Sequence, residues 1–297
     1  AQELRPYEGQ FIVNYAFVNV RSEPMQSAAK IGTIPGRTIL RPQSMADGWA
    51  KVTYGSLSGY VSSAYLAPFL PPIVARQDTF DLPILHYRLG QEGGSGTSIL
   101  AALSMHVAQL QADGFRFLTL SDLRDVLLAQ QNRDTRLAGK SVCIVLSGLT
   151  AKNISAASDA LNAAGIDATF FIATRDIGLN GITERMLKTM IANGFDIESA
   201  THTGDDLRGL TNSQVQLELA QSRKLLEEMT GKTVFAVYYP QGGGNERIAA
   251  ISADAAYLLG VGGSNGRSFK RSELLLLPSI TVRSILSADD IRRAVGL

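Results

Sequence analysis

The sequence predicts a two-domain protein, with a small all-β barrel in front of a larger α/β domain. Residues 1–67 contain short runs rich in β-branched and aromatic residues, separated by Gly, Pro and Asp turn signals. From Leu82 onward, apolar strand-like runs alternate with helical patterns, which is typical of a parallel sheet that is open or closed into a barrel. Pro68–Pro83 holds four of the ten prolines. We therefore predict domains at residues 1–67 and 83–297, joined by a linker at 68–82.

Composition excludes several classes of function. The net charge of +1 over 297 residues gives no nucleic-acid footprint, and no apolar run approaches the length of a membrane span. The single cysteine, Cys143, lies in an apolar run, so we expect a buried thiol and no disulfide within the chain. The chain starts at Ala1 rather than at Met, as a mature chain does after removal of a signal peptide or one trimmed at its N-terminus. We therefore expect a periplasmic or secreted bacterial protein.

The N-terminal strands are predicted from alternation and turn signals. Gln10–Val20 alternates, and shorter strand-like runs follow at Ile31–Ile34, Thr38–Arg41, Trp49–Tyr54 and Ser58–Val61. The motifs Val18–Pro24, Asp47–Val52 and Gly59–Ser63 resemble a bacterial SH3 (SH3b) domain. Such domains imply binding, often to cell-wall peptide or glycan, without chemistry of their own. Trp49 and Tyr60 are suited either to a ligand platform or to the barrel core, and we favour the core.

The larger domain is predicted from periodicity and capping signals. Ser98 opens a helix whose apolar stripe includes His106, Ser121 caps the next helix, and Gly165 ends a third. A Gly/Ser loop is expected at Gln91–Gly96. The predicted strands are Pro83–Leu89, Phe115–Leu120, Lys140–Leu146, Asp167–Ala173, a strand within Gly194–Leu207, Thr233–Tyr239 and Leu274–Val282. The predicted helices are Ser98–Ala112, Asp122–Gln131, Asn153–Ala164, Ile182–Ala192, Ser213–Met229 and Asn245–Leu258.

The segment Gly194–Leu207 is the expected centre of the functional site. It reads as a strand that runs into a loop of polar residues, among them His202, Asp205 and Asp206. In alternating α/β chains, ligands bind at loops that follow the carboxyl ends of strands. We therefore expect this loop to border the site.

Several segments together resemble the polysaccharide deacetylase (NodB-homology, carbohydrate esterase 4-like) family. They are Pro83–Arg88, Leu110–Phe115, Lys140–Thr150, Ala168–Ile172, Gly194–Leu207 and Tyr239–Gly242. The resemblance implies an irregular (β/α) barrel. It also implies, for active members, hydrolysis of N- or O-acetyl groups on glycans by a divalent metal held by one Asp and two His, with a second Asp as general base.

The residues that carry this chemistry in the family are absent here. By the resemblance, Ser147 stands at the position of the base, and Gly148, Ala200 and Gly204 at the three metal-binding positions. Tyr238 stands at the position of an arginine that orients the base, and Arg88 at that of a catalytic His. We therefore expect a pseudoenzyme with no catalytic residues, no metal and no other cofactor.

The chain offers little from which to rebuild a metal site. It has only three histidines, and a transition-metal site usually needs two such ligands close together. His202 lies one residue out of the inward register, and His106 belongs to an apolar stripe. His86 shares a face with Arg88, so we expect it to reach the cleft. Asp205 and Asp206 carry oxygen ligands for a hard cation, but a solvated turn is the simpler interpretation.

Two hypotheses of function follow. In the first, a metal-free groove binds cell-wall glycan or peptidoglycan, or an envelope protein, and the SH3-like module adds a second contact. The groove candidates are Tyr238, Tyr239, Gln241, His202, Asp205 and His86. In the alternative, a residual deacetylase uses a rebuilt site, with Asp205 or Asp206 as base and backbone donors near Gln241 as an oxyanion hole. Ser147 is a weak candidate nucleophile, because it needs a base within hydrogen-bond reach.

Overall fold

The computed structural model describes residues 7–69, 77–90, 98–131, 135–283 and 286–297. The middle of the predicted linker, residues 70–76, and the predicted Gly/Ser loop Gln91–Gly96 lie outside the described residues.

The N-terminal domain is built from short antiparallel strands. Five of them form a sheet in the order β3-β2-β7-β6-β5, and β1 pairs with both β4 and β8. Its core is aliphatic and fully buried, with Val18, Val20, Ile34 and Val61 at its centre. The strands are β1 (Phe11–Val13), β2 (Phe17–Arg21), β3 (Lys30–Pro35), β4 (Ile39–Leu40), β5 (Ser44–Ala46), β6 (Trp49–Tyr54), β7 (Leu57–Ser62) and β8 (Leu66–Pro68).

The single strand predicted at Gln10–Val20 is wrong, because the chain bends at Tyr15 and divides it into β1 and β2. The bend carries the Tyr15 side chain into a buried position, where its hydroxyl donates to the carbonyl of Leu258 at 3.2 Å. A contact between residues 243 positions apart cannot be read from local alternation.

The larger domain alternates strands and helices as predicted. Its strands are β9 (Thr79–Asp81), β10 (Ile84–Arg88), β11 (Arg116–Leu118), β12 (Ser141–Ser147), β13 (Thr169–Ile172), β14 (Asp196–Ser199), β15 (Ala236–Tyr238), β16 (Leu259–Val261), β17 (Ser268–Lys270) and β18 (Ile280–Val282). Its helices are α1 (Ile99–Ala112), α2 (Leu120–Ala129), α3 (Ala151–Ala164), the single turn α4 (Asp176–Leu179), α5 (Glu184–Ala192), α6 (Asn212–Thr230), α7 (Glu246–Asp254) and α8 (Ala288–Val295).

Apart from the single turn α4, the described helices begin where polar caps satisfy their first backbone N–H groups. The hydroxyl of Ser98 accepts from the amide of Ala101 and starts α1, as predicted. Thr211 and Gln214 form a reciprocal capping box at α6. Helix α2 differs from the prediction, because Thr119 rather than Ser121 is its cap.

The central sheet is parallel and follows the order β16-β15-β14-β13-β12-β10-β18. Strand β12 is buried along its whole length, as expected for a strand covered on both faces. Its first residues pair with β11, whereas Val145 and Leu146 pair with β13, so the sheet divides there. Among the described residues, β16 forms one parallel bridge, Val261 to Leu277, with the segment that precedes β18. The result is an irregular half-barrel.

Strand β9 lies inside the segment that was predicted to be a linker. It pairs antiparallel with β17, and Phe80 stacks on Phe269 with ring centroids 5.2 Å apart. The last residues of the predicted linker therefore belong to the larger domain.

The two domains contact each other through the end of α7 and the turn that follows it. The guanidinium of Arg21 pairs with the carboxylate of Asp254 at 3.1 Å, and the hydroxyl of Tyr65 donates to the carbonyl of Ala253. Tyr15 and Tyr65 are both buried in this contact and pack edge to face. None of the described helices combines the length and apolar character of a membrane span.

Candidate functional site

A cavity of about 190 Å³ lies at the carboxyl ends of the central strands, and we call it the cleft. Arg88 ends β10, Ser147 ends β12, and Tyr238 ends β15, while Ala200 directly follows β14. Parallel strands bring these ends to one edge of the sheet, which is where α/β folds place their ligand sites.

All six positions at which the resemblance places catalytic or metal-binding residues line the cleft. They are Arg88, Ser147, Gly148, Ala200, Gly204 and Tyr238. Residues up to 150 positions apart in the chain therefore meet in one cavity. The cleft therefore lies where the resemblance places the site, and these six residues are the ones it presents there.

These side chains do not fit a metal ion. Ser147 contributes a hydroxyl, whereas Gly148, Ala200 and Gly204 contribute no ligating side chain. Across the described residues, no three His, Cys, Asp or Glu side chains come together as a metal site requires.

The backbone at two of the three metal-binding positions, Gly148 and Gly204, also leaves little room for a side chain. Gly148 adopts φ +69°, and a Cβ there would lie 2.8 Å from the backbone nitrogen of Gly90. Gly204 adopts φ +75°, and a Cβ there would lie 3.2 Å from the Cβ of Ala173. Positive φ favours glycine, so a side chain at either position is strained.

His86 lies beneath the cleft floor rather than in the cleft. It is 1% exposed, and its Nε2 lies 2.7 Å from the hydroxyl oxygen of Ser147, which faces the cavity. The expectation that His86 reaches the cleft is wrong, because Ser147 covers it. Burial, with a smaller contribution from the charge of Arg88, lowers the pKa of His86 to about 3. The imidazole is therefore neutral at neutral pH.

Tyr238 forms the aromatic side of the cleft. It is 5% exposed, and its ring packs on His86 at a centroid distance of 4.5 Å and on Phe171 at 5.8 Å. Burial raises the pKa of the Tyr238 phenol, opposed by the charge of Arg88. The phenol is therefore protonated at neutral pH.

Arg88 places a positive charge at the cleft. Its guanidinium donates to the side-chain oxygen of Gln241 at 3.2 Å, so both residues are held at the cavity wall. Among the described residues, no carboxylate forms an ion pair with Arg88. Its remaining N–H groups can therefore serve a ligand.

Three other groove candidates lie away from the cavity lining. Tyr239 is wholly buried and points to the opposite side from Tyr238, where its hydroxyl donates to the carbonyl of Leu275 at 2.9 Å. His202 is half-buried, with Nδ1 2.7 Å from the hydroxyl of Thr174. Asp205 is exposed and lies 3.5 Å from Arg175. These placements do not support Tyr239, His202 or Asp205 as groove residues.

Arg175 and Asp176 line the cleft but were not predicted as site residues. They follow β13 after a short turn, so the same strand-end rule that selected the Gly194–Leu207 loop could have found them. Burial raises the pKa of the Asp176 carboxyl, with Arg175 and Asn180 opposing.

Comparison with known proteins agrees with this architecture. Residues 138–259 match the family model for polysaccharide deacetylases, and residues 16–67 match the model for the bacterial SH3 domain. YxkH of Bacillus subtilis strain 168, named as an inferred polysaccharide deacetylase, is 29% identical over 209 residues, which are 70% of this chain and 74% of YxkH.

Two solved structures share the fold at low identity. The Streptococcus pyogenes deacetylase PplD, solved with acetate, has a TM-score of 0.64 at 19% identity and covers 73% of this chain and 98% of its own. BC0361, a polysaccharide deacetylase from Bacillus cereus, has a TM-score of 0.62 at 16% identity. The match covers 97% of this chain and 91% of BC0361. The predicted fold class, a NodB-type α/β barrel with an SH3-like barrel in front, is confirmed.

Proposed function

Because this chain contains a polysaccharide deacetylase domain preceded by a bacterial SH3 domain, we propose that it binds a cell-wall saccharide through the cleft without hydrolysing it. One observation carries the proposal: six positions that resemble catalytic and metal-binding sites line one cavity and present no set of metal ligands. Without a metal, an acetyl carbonyl has no Lewis acid to polarise it. The cleft then recognises its ligand and releases it unchanged.

The ligand we propose is a saccharide that carries a carboxylate. Arg88 supplies a planar guanidinium with free N–H donors, and such groups bind carboxylates in a bidentate manner. The amide of Gln241, the hydroxyl of Ser147 and the ring of Tyr238 line the same cavity and suit sugar hydroxyls and ring faces. Carboxylate-bearing saccharides of this kind occur in bacterial envelopes, which agrees with the proposed periplasmic or secreted location.

The test is calorimetric titration with N-acetylmuramic acid, a sugar whose lactyl group carries a free carboxylate, alongside sedimentation with insoluble peptidoglycan. Arg88→Ala should weaken binding of the soluble probe about 10- to 100-fold, because a hydrogen bond to a charged group contributes about 1.5–3 kcal/mol. Arg185→Ala, on the exposed face of α5, is the matched control and should bind as the wild type does. Equal affinity of the wild type and Arg88→Ala would refute the proposal. Capture of an envelope protein instead of peptidoglycan would replace the saccharide with a protein ligand.

A residual hydrolase is the second candidate, favoured by the contact between Ser147 and His86. A serine nucleophile transfers its proton to the base, but a histidine with a pKa of about 3 is a weak acceptor at neutral pH. The two aspartates considered as bases are engaged elsewhere: Asp205 faces Arg175, and Asp206 is held by the guanidinium of Arg208. Neither lines the cleft.

Acetate release from an acetylated chitooligosaccharide decides between the candidates. We expect none above background, with or without added Zn²⁺, and no change on Asp205→Asn, Asp206→Asn or Ser147→Ala. Release that is abolished by one of these substitutions would establish the hydrolase and identify its base or nucleophile.

A further inference from the structure

A second cavity, of about 230 Å³, lies between the two domains, and we call it the junction cavity. The SH3-like domain contributes Asn19, Arg21, Gln26, Trp49 and Tyr65, whereas Asp254 and its neighbours at the end of α7 form the other wall. Neither the cleft nor the proposed function makes use of it. Sites between domains are a common location for ligands.

The charges of the junction cavity are compensated within the protein. Arg21 is 8% exposed and pairs with Asp254 at 3.1 Å, while its second N–H group donates to the carbonyl of Ala28 at 2.8 Å. The Nδ2 group of Asn19 donates to the same carboxylate. A charged ligand therefore has no unpaired charge to bind in this cavity, which favours an uncharged one.

Among the described residues that line the junction cavity, one buried polar atom lacks a hydrogen-bond partner. The Oδ1 atom of Asn19 is buried and accepts no hydrogen bond from any described residue, and Asn19 is 7% exposed. Buried acceptors are normally satisfied, so an unsatisfied one needs an explanation. A small local adjustment that admits an O–H or N–H donor would satisfy it.

Trp49 gives the cavity an aromatic wall. It is half-buried, unlike the fully buried valines of the SH3-like core, so the interpretation of Trp49 as a core residue is only partly correct. An indole combines an apolar face with one N–H donor. Together with the amides of Asn19 and Gln26 and the hydroxyl of Ser62, it offers a ring face beside neutral hydrogen-bonding groups.

We propose that the junction cavity is a second saccharide subsite, which takes one uncharged sugar residue against Trp49. A sugar presents hydroxyls that donate to the acceptor of Asn19 and accept from the amide of Gln26, and its apolar ring face covers the indole. The volume suits one ring rather than a drug-sized molecule, for which cavities of about 300–1,000 Å³ are usual.

The chain contains one tryptophan, so its fluorescence reports on this cavity alone. We would titrate the intact chain with N-acetylchitotetraose, an uncharged oligomer of N-acetylglucosamine, and follow Trp49 emission. We expect a saturable change. Gln26→Ala, at an exposed position, and Asn19→Leu should each lower the affinity for the tetrasaccharide at least 10-fold. Arg88→Ala, in the cleft, should leave that affinity unchanged.

The outcomes separate this proposal from the proposed function. No saturable change, or undiminished affinity in Gln26→Ala, would overturn the junction subsite, even if Asn19→Leu fails to fold. A tri-alanine peptide that changes the emission where the sugar does not would overturn it in favour of a peptide ligand. Binding of N-acetylmuramic acid in the cleft is measured by calorimetry and depends on Arg88, so either site can fail without the other.

Discussion

The cleft and the junction cavity are similar in volume, about 190 and 230 Å³, but they differ in whether their arginine is paired with a carboxylate. In the cleft, Arg88 has no carboxylate partner among the described residues, and the histidine beneath it is held neutral. In the junction cavity, Arg21 and Asp254 neutralise each other. An unpaired cation in a cavity favours an anionic ligand, and an internally paired one favours a neutral ligand. The contrast gives each cavity its own chemistry and its own test.

The largest expected effect that sharpens this contrast is the pH dependence caused by His86. Unfolded histidine has a pKa near 6.5, whereas the pKa of His86 in the folded chain is about 3. The unfolded chain therefore binds the extra proton between these values, so this contribution to stability is complete above about pH 6.5 and is lost as the pH falls toward 3. The full contribution is on the order of 5 kcal/mol.

The measurement is urea unfolding of the wild type and His86→Gln between about pH 4 and pH 8. The free energy of unfolding should rise with pH in the wild type, and the rise should be markedly smaller in His86→Gln. His202→Gln, which removes an imidazole outside the cleft lining, is the matched control. Parallel curves for the wild type and His86→Gln would show that His86 is not buried as described.

The next effect concerns the backbone of the cleft. Gly148→Ala should destabilise the fold by about 2–4 kcal/mol, because it adds a Cβ at positive φ that also meets the backbone of Gly90. Gly165→Ala, at φ +65° with open space around its Cβ, should lose only about 1–2 kcal/mol. Urea unfolding of both variants measures the difference. Equal losses would mean that the cleft backbone yields easily and could accept a metal ligand at position 148.

The smallest expected effect is the pH dependence of the free energy of unfolding caused by Asp254 in the junction cavity. Its sign is opposite to that of the pH dependence caused by His86. Burial raises the pKa of Asp254, although Arg21 and Asn19 oppose it. Since the folded chain then binds the extra proton, this contribution to stability falls as the pH rises from about 4 through the raised pKa. Asp254→Asn should remove that fall.

The control for Asp254 is Asp206→Asn. Hydrogen bonds with Arg208 lower the pKa of Asp206, so Asp206 makes the free energy of unfolding rise with pH in acid. Asp206→Asn should therefore remove a rise, whereas Asp254→Asn removes a fall. Unfolding titrations of both variants in acid measure the two signs. Changes of the same sign in both variants would contradict the burial of Asp254.

The fold class could be predicted from the sequence, because the alternation of strands and helices is a local pattern. The six degenerate positions came from the family resemblance, and the structure places them in one cavity. It did not predict the side to which single residues turn. Tyr239 was grouped with Tyr238, yet neighbouring residues at a strand end point in opposite directions, and Tyr239 fills the core. The pairing of Arg21 with Asp254 joins residues 233 positions apart, and no local pattern signals it.

The edge of the half-barrel at β16, which we call the seam, is where we expect the backbone to open locally most easily. Strand β16 forms one bridge, Val261 to Leu277, and a few single backbone hydrogen bonds with the described segment that precedes β18. By contrast, β10 and β12, and likewise β13 and β14, share longer ladders. Amide hydrogens along β16 should therefore exchange with solvent earlier than those of β12. The SH3-like domain braces the turn that enters β16 through the hydroxyl of Tyr15 on Leu258. Removal of that domain should speed exchange at the seam and lower protease resistance there first.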